Sequence, residues 1–216
     1  MKTIIKYFLL VGVLSSSLKS EAQSDNYNWS FKFGGTPISY IVNNGATYDW
    51  YGNSKGGEIL LGLGYKNFHI NTSFRYFGNA IKKNLLYDNT NFYLPKGAGV
   101  NMVFWNISLS YEKEIINRFF IEPNIGFLRN YTTTNIIDFG GSEFDIKDLY
   151  GLTLGTNLIK YIKFPNGFYL GFYISCNYNL IDYQKWNSEL KNNSLGYSIG
   201  VILKGADETK KKVHFF

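Results

Sequence analysis

GEILLGLGYKNFHINTSFRYFG, Gly57 to Gly78, holds two alternating runs separated by two residues. Ile59, Leu61, Leu63 and Tyr65 form one apolar row. After Lys66-Asn67 the row resumes as Phe68, Ile70, Thr72, Phe74 and Tyr76. Between them stand Glu58, Leu60, Gly62 and Gly64, then His69, Asn71, Ser73 and Arg75, which are mostly small, polar or charged. Alternation with period two marks a strand whose faces meet unlike surroundings. Two such runs joined by two residues form a hairpin. Pairing Tyr65 with Phe68 sets Glu58 opposite Arg75 on the small face, with Cβ atoms about 4.5–5.5 Å apart. The expected role of that ion pair is structural: it fills and stiffens the interior.

The pattern recurs along the chain. Tyr27, Trp29, Phe31 and Phe33 alternate with Asn28, Ser30, Lys32 and Gly34. Val103, Trp105, Ile107, Leu109 and Tyr111 alternate with Phe104, Asn106, Ser108, Ser110 and Glu112. Further runs begin near Phe119, Tyr150, Phe168 and Leu195, which brings the count to eight strands. Links near Lys66-Asn67, Ile115 to Asn117 and Phe164 to Gly167 are short. Those near Val42 to Gly56, Asn79 to Gly99, Thr132 to Lys147 and Asp182 to Asn193 are long and rich in Asn, Asp, Gly, Ser and Tyr. An even strand number, with short turns at one end and long loops at the other, is the plan of a transmembrane barrel. The expected fold is an all-β, eight-stranded antiparallel up-and-down barrel, its turns periplasmic and its loops extracellular. Pro123 lacks a ladder donor, so a bulge is expected there.

Alternation also suits a soluble barrel with an apolar interior. Two features favour the membrane. The polar face carries Gly, Ser and Asn where a solvated surface carries many Lys and Glu. Aromatics, 19% of the chain, gather at strand ends: Tyr27, Trp29, Tyr65, Tyr111 and Phe168 fall near the short turns, where an interfacial girdle sits. The apolar face then meets lipid and the polar face lines a lumen narrow enough for side chains to fill. Lys32, His69 and Glu122 are the other polar residues expected inside.

The start of the chain has the form of an export signal. Lys2 and Lys6 precede the apolar run Tyr7 to Leu14, and Ser20-Glu21-Ala22 fits a cleavage site before Gln23. The expected division is a signal peptide at 1–22, a barrel at 23–205 and a charged tail at 206–216. Phe216 is terminal, so the insertion signal is expected either there, past the tail, or at Leu203 in the last strand. Net charge falls from +6 to +4 once Lys2, Lys6, Lys19 and Glu21 are removed, and no basic stripe of the nucleic-acid-binding kind is present. The single cysteine, Cys176, excludes an internal disulfide and reads as a small residue of the apolar face.

On the eight alternating runs, the unequal connections and the Ser20 to Gln23 signal end, the chain resembles the small outer-membrane barrels of the OmpA/OmpX type, in the form common in Bacteroidota. The resemblance covers Gln23 to about Gly205. It implies the outer membrane of a Gram-negative bacterium, contact with outer-membrane lipid, and contact with other envelope proteins through loops or tail. It carries no catalytic motif.

Chemistry is sparse. His69 and His214 are the only histidines. Ser73 lies four residues along the strand from His69, about 13 Å away and outside the reach of a nucleophile's base. No clustered ligands for a metal and no phosphate-binding loop appear, so no cofactor is expected. The expected function is a non-catalytic scaffold that displays four loops or docks to an envelope complex. Its alternatives are a small-solute pore or transporter and a lipid-modifying outer-membrane enzyme. Trp50, Tyr51, Tyr87, Tyr93 and Trp186 are the candidate loop contacts, because such aromatics favour interfaces; packing among the loops themselves is the other expectation for them.

Overall fold

A computed structural model describes residues 27–43, 45–86, 93–134 and 146–208. The expected signal peptide, Tyr87 and the tail from residue 209 onward lie outside the described residues. Eight long strands make the fold: β1 (Tyr27–Asn43), β2 (Ser54–Tyr65), β3 (Phe68–Ala80), β4 (Gly99–Tyr111), β5 (Phe119–Thr134), β6 (Ile146–Lys163), β7 (Phe168–Ile181) and β8 (Asn193–Glu208). Each pairs antiparallel with its sequence neighbours, and β1 also pairs with β8. The sheet therefore closes on itself, without the two open edge strands of an unclosed sheet. One short helix, α1 (Gly45–Tyr51), follows β1.

The short turns are built to fit the twist of the sheet. Lys66 between β2 and β3 has φ +54°. Asn117 and Arg118, before β5, have φ +41° and +60°. Two successive left-handed residues match the right-handed twist of flanking strands. Across the first turn Tyr65 pairs with Phe68, and Glu58 pairs with Arg75. At the chain's end β8 runs past Gly205 to Glu208, because β1 starts early enough to pair Ser30 with Ala206 and Tyr27 with Glu208. Part of the expected tail is thus strand.

Pro123 produces no bulge. The β5–β6 register passes through it unbroken: Glu122–Asn157, Pro123–Thr156, Asn124–Gly155. The interruption lies in the partner strand. β4 stops at Tyr111 and continues as Lys113–Ile116, so Ser110 pairs with Asn124 and Lys113 with Ile121 while the step opposite Pro123 is skipped. A missing donor is absorbed by a gap in the neighbouring ladder. The register shifts fall elsewhere: between Tyr27 and Ser30 and around Pro37 in β1, between Asn130 and Thr132 in β5, and between Glu114 and Ile116 just before the turn into β5.

The alternating faces separate cleanly. The apolar rows point outward, with Phe127 at 75% and Leu63 at 69% exposure, whereas the polar rows are buried. That is the reverse of a soluble barrel, and an apolar belt of this extent is foreign to soluble monomers. Trp29 packs on Tyr65 and Phe68 on Tyr111, with ring centroids 5.1 and 5.0 Å apart, at the short-turn end. Tyr76, Tyr150, Tyr131 and Tyr197 are exposed nearer the loops. Among the described residues, no helix is long and apolar enough to cross a membrane.

Candidate functional site

The interior divides into three levels. At the short-turn end Lys32 of β1, Glu112 in the gap after β4, Glu122 of β5 and Lys204 of β8 are all buried. Period two puts each on the inner face, and closure brings their strands together. Lys32 Nζ lies 2.5 Å from Glu112 Oε2 and donates to Glu122 Oε1 at 2.7 Å. Lys204 pairs with Glu112 Oε1, and the Tyr161 hydroxyl donates to Glu112 Oε2 at 3.2 Å. Glu122 also accepts from Ser110 Oγ at 2.6 Å, from Asn71 Nδ2 at 3.3 Å and from Asn157 Nδ2 at 3.0 Å. Two ammonium groups thus face two carboxylates, and the floor of the lumen is neutral and hydrogen-bonded, the condition under which charges tolerate burial.

His69 is buried beside this floor, with Nε2 3.1 Å from Ser30 Oγ. Its Nδ1 has no hydrogen-bond partner among the described residues and stands 3.8 Å from Glu122 Oε1. Serine, histidine and glutamate in this order evoke a hydrolytic triad, but the last contact is too long for a hydrogen bond. Glu122 is moreover engaged by Lys32, Ser110, Asn71 and Asn157. It does not orient the imidazole as a nucleophile's base requires. The ligand atoms of His69, Glu112 and Glu122 lie within 4.8 Å of one another. The Lys32 ammonium already stands between the two carboxylates, where a cation would bind, and Lys204 neutralises the rest. This donor set does not suit a metal.

The middle level holds Glu58 and Arg75. Arg75 Nε donates to Glu58 Oε1 at 2.9 Å, and both side chains are buried. Around them Ser73, Asn106, Asn124 and Tyr173 line a cavity of about 20 Å³. That is room for about one water. Among the described residues, Glu58 Oε2, Ser73 Oγ, Asn106 Oδ1, Asn124 Oδ1 and the Tyr173 hydroxyl have no hydrogen-bond partner.

The loop end is closed by an apolar plug. Ile41, Phe77, Val100, Met102, Phe104 and Leu128 come from the strands; Tyr51, Ile81, Leu94, Tyr183, Trp186 and Leu190 come from the loops. Trp186 packs against Tyr51 at 6.1 Å and Tyr183 at 5.5 Å between centroids. Burial pushes the Tyr183 phenol above its ordinary pKa. Hydrogen bonds lock the loops together: Thr47 Oγ1 donates to Lys191 O at 3.1 Å, and Asn187 Nδ2 to Leu86 O at 2.9 Å.

Tyr51 and Trp186, for which packing among the loops was expected beside contact with a partner, are plug residues, each 1% exposed. Trp50 is half-buried against the same cluster. Tyr93 sits in a two-residue ladder with Leu86, and Tyr87 lies outside the described residues. Outside the strands there is no period to say which way an aromatic points, and the apolar mouth offers the larger burial. Sequence reasoning brought out Lys32 and Glu122 and put Glu112 on the inner row, but passed over Lys204. Parity was the available signal: Lys204 continues the inner row Ser198, Gly200, Ile202.

No family model matches the chain, and no curated protein matches it. Solved structures do. Neisserial surface protein A superposes with a TM-score of 0.51 at 14% identity, covering 83% of this chain and 97% of its own. The outer membrane protein OprG from Pseudomonas aeruginosa gives a TM-score of 0.53 at 10% identity, covering 86% and 99%. At such identities the likeness is one of fold. The chain has the fold of the small eight-stranded outer-membrane barrels.

Proposed function

We propose that this chain is an outer-membrane β-barrel of a Gram-negative bacterium that conducts nothing and catalyses nothing. Its barrel is a rigid scaffold that carries a cap of interlocked loops outside the cell and meets other envelope proteins through that cap or its C-terminal tail. The filled lumen carries this reading: a charged floor, a water-sized cavity and an apolar plug lie in series along the axis. The outward apolar belt supports the membrane location, since spanning sheets must pair all backbone groups and turn apolar rows to lipid. Short turns face the periplasm by default, which puts the plug and loops outside.

A small-solute pore is the competing reading, and the polar middle chamber is its only support. Purified protein in planar bilayers should give no reproducible conductance steps. Stable ohmic openings on the nanosiemens scale would overturn the sealed-barrel reading in favour of the pore.

A further inference from the structure

Two apolar furrows meet on the outer wall at the short-turn end. One, of about 430 Å³, is lined by Trp29, Phe31, Leu63, Phe168 and, at its mouth, Asp207. The other, of about 520 Å³, is lined by Phe31, Phe33, Leu61, Leu63, Ile70 and Thr72. Phe31 and Leu63 belong to both, so the two form one trough. Gly205 helps shape it: a Cβ there would stand 2.1 Å from the Phe31 ring, so only glycine lets that ring lie against β8. From Trp29 to Phe33 the trough follows four strand steps, about 14 Å. That is on the order of the hydrocarbon depth of one leaflet, half of about 30 Å.

Asp207 lines the mouth, and Lys66 stands beside it in the turn that follows Tyr65, the partner of Trp29. Asp207 is exposed on the outer face of β8. Lys66 is exposed in the turn, its Nζ 5.5 Å from the Tyr65 ring centre, and Tyr65 packs on Trp29. Neither forms an ion pair with a described residue. An apolar trough one leaflet deep, opening between a cation, a carboxylate and two aromatic rings, has the complementarity of a zwitterionic lipid.

We infer that this trough is a binding site for an amine-bearing glycerophospholipid of the periplasmic leaflet, a proposal that rests on the membrane reading above. An acyl chain lies along Phe31 and Leu63. The phosphate meets Lys66, and the primary ammonium meets Asp207 beside the face of Trp29. A phosphatidylglycerol head offers Asp207 no cation. A choline head offers a cation with no N–H to donate.

The test is native mass spectrometry of the full-length barrel released from nanodiscs made with equal parts phosphatidylethanolamine, phosphatidylcholine and phosphatidylglycerol of identical chains. The heat-dependent gel shift of the folded barrel is read on the same samples. Phosphatidylethanolamine should be retained about two- to fivefold over the others, the scale of one exposed ion pair. Asp207→Asn should abolish that preference without changing the gel shift, and Lys66→Gln should lower retention of all three lipids. A folded, inserted barrel that keeps the three lipids equally, or an Asp207→Asn variant with its preference intact, overturns the site alone. Failure to insert overturns the membrane reading beneath it.

Discussion

Glu58 and Arg75 show what one ion pair inside the lumen does for the fold. They sit on adjacent strands joined by two residues, so the turn length alone fixes their register. With both side chains buried, removing one partner leaves the other charge unpaired. Such losses are about 3–5 kcal/mol for fully dry pairs, and less beside a water-sized cavity. Arg75→Met should cost about 2–4 kcal/mol and Glu58→Gln somewhat less, the latter because a neutral amide still accepts from the guanidinium. The double variant should lose less than the sum, measured by urea unfolding of the folded band in lipid; additive losses would show that the pair does not couple. The four-charge floor was less legible. Parity placed Lys32 and Glu122 inside, but they lie on β1 and β5, far apart in sequence, and the stagger that brings such strands into line is set by closure of the whole cylinder.

Turns and loops mark the limit of a period-two reading. The strands and their facing follow from alternation, since a one-residue slip would turn every apolar side chain inward. The turn before β5 obeys a different constraint. Arg118 holds a left-handed φ of +60°, which costs a side-chain-bearing residue about 1–2 kcal/mol. Arg118→Gly should therefore stabilise the barrel by about 0.5–1 kcal/mol after the entropy of glycine is subtracted. A lowered unfolding midpoint would mean that the side chain contributes more than the strain costs. The loops hold by packing. Trp186 joins α1 to the β7–β8 connection through Tyr51. Trp186→Ala should open the cap to trypsin at Lys185 and Lys191 while the barrel keeps its gel shift, because loops open locally at lower free energy than the sheet. Resistance equal to wild type would show that the plug does not depend on this ring.

For the molecule as a whole, closure, an apolar outer belt and a sealed interior are one solution to one constraint. A sheet can cross lipid only if no backbone group is left unpaired, so it must close. At eight strands the cylinder is too narrow to stay open, and its inner rows must fill it. The eight strands, their order and their faces were legible because every strand repeats the same alternation. The plug was not, because its aromatics sit in segments without a period. The tail boundary was not either, since pairing with β1 holds β8 to Glu208. The most direct measurement of a membrane-spanning barrel with its plug outside is cysteine labelling on intact cells in a Cys176→Ala background. Gln184→Cys, in the β7–β8 loop, should react with an impermeant maleimide, and Asn67→Cys, in the β2–β3 turn, should react only after the outer membrane is permeabilised. Labelling of Asn67→Cys on intact cells with Gln184→Cys protected would contradict the orientation, and equal labelling of both would contradict the span itself.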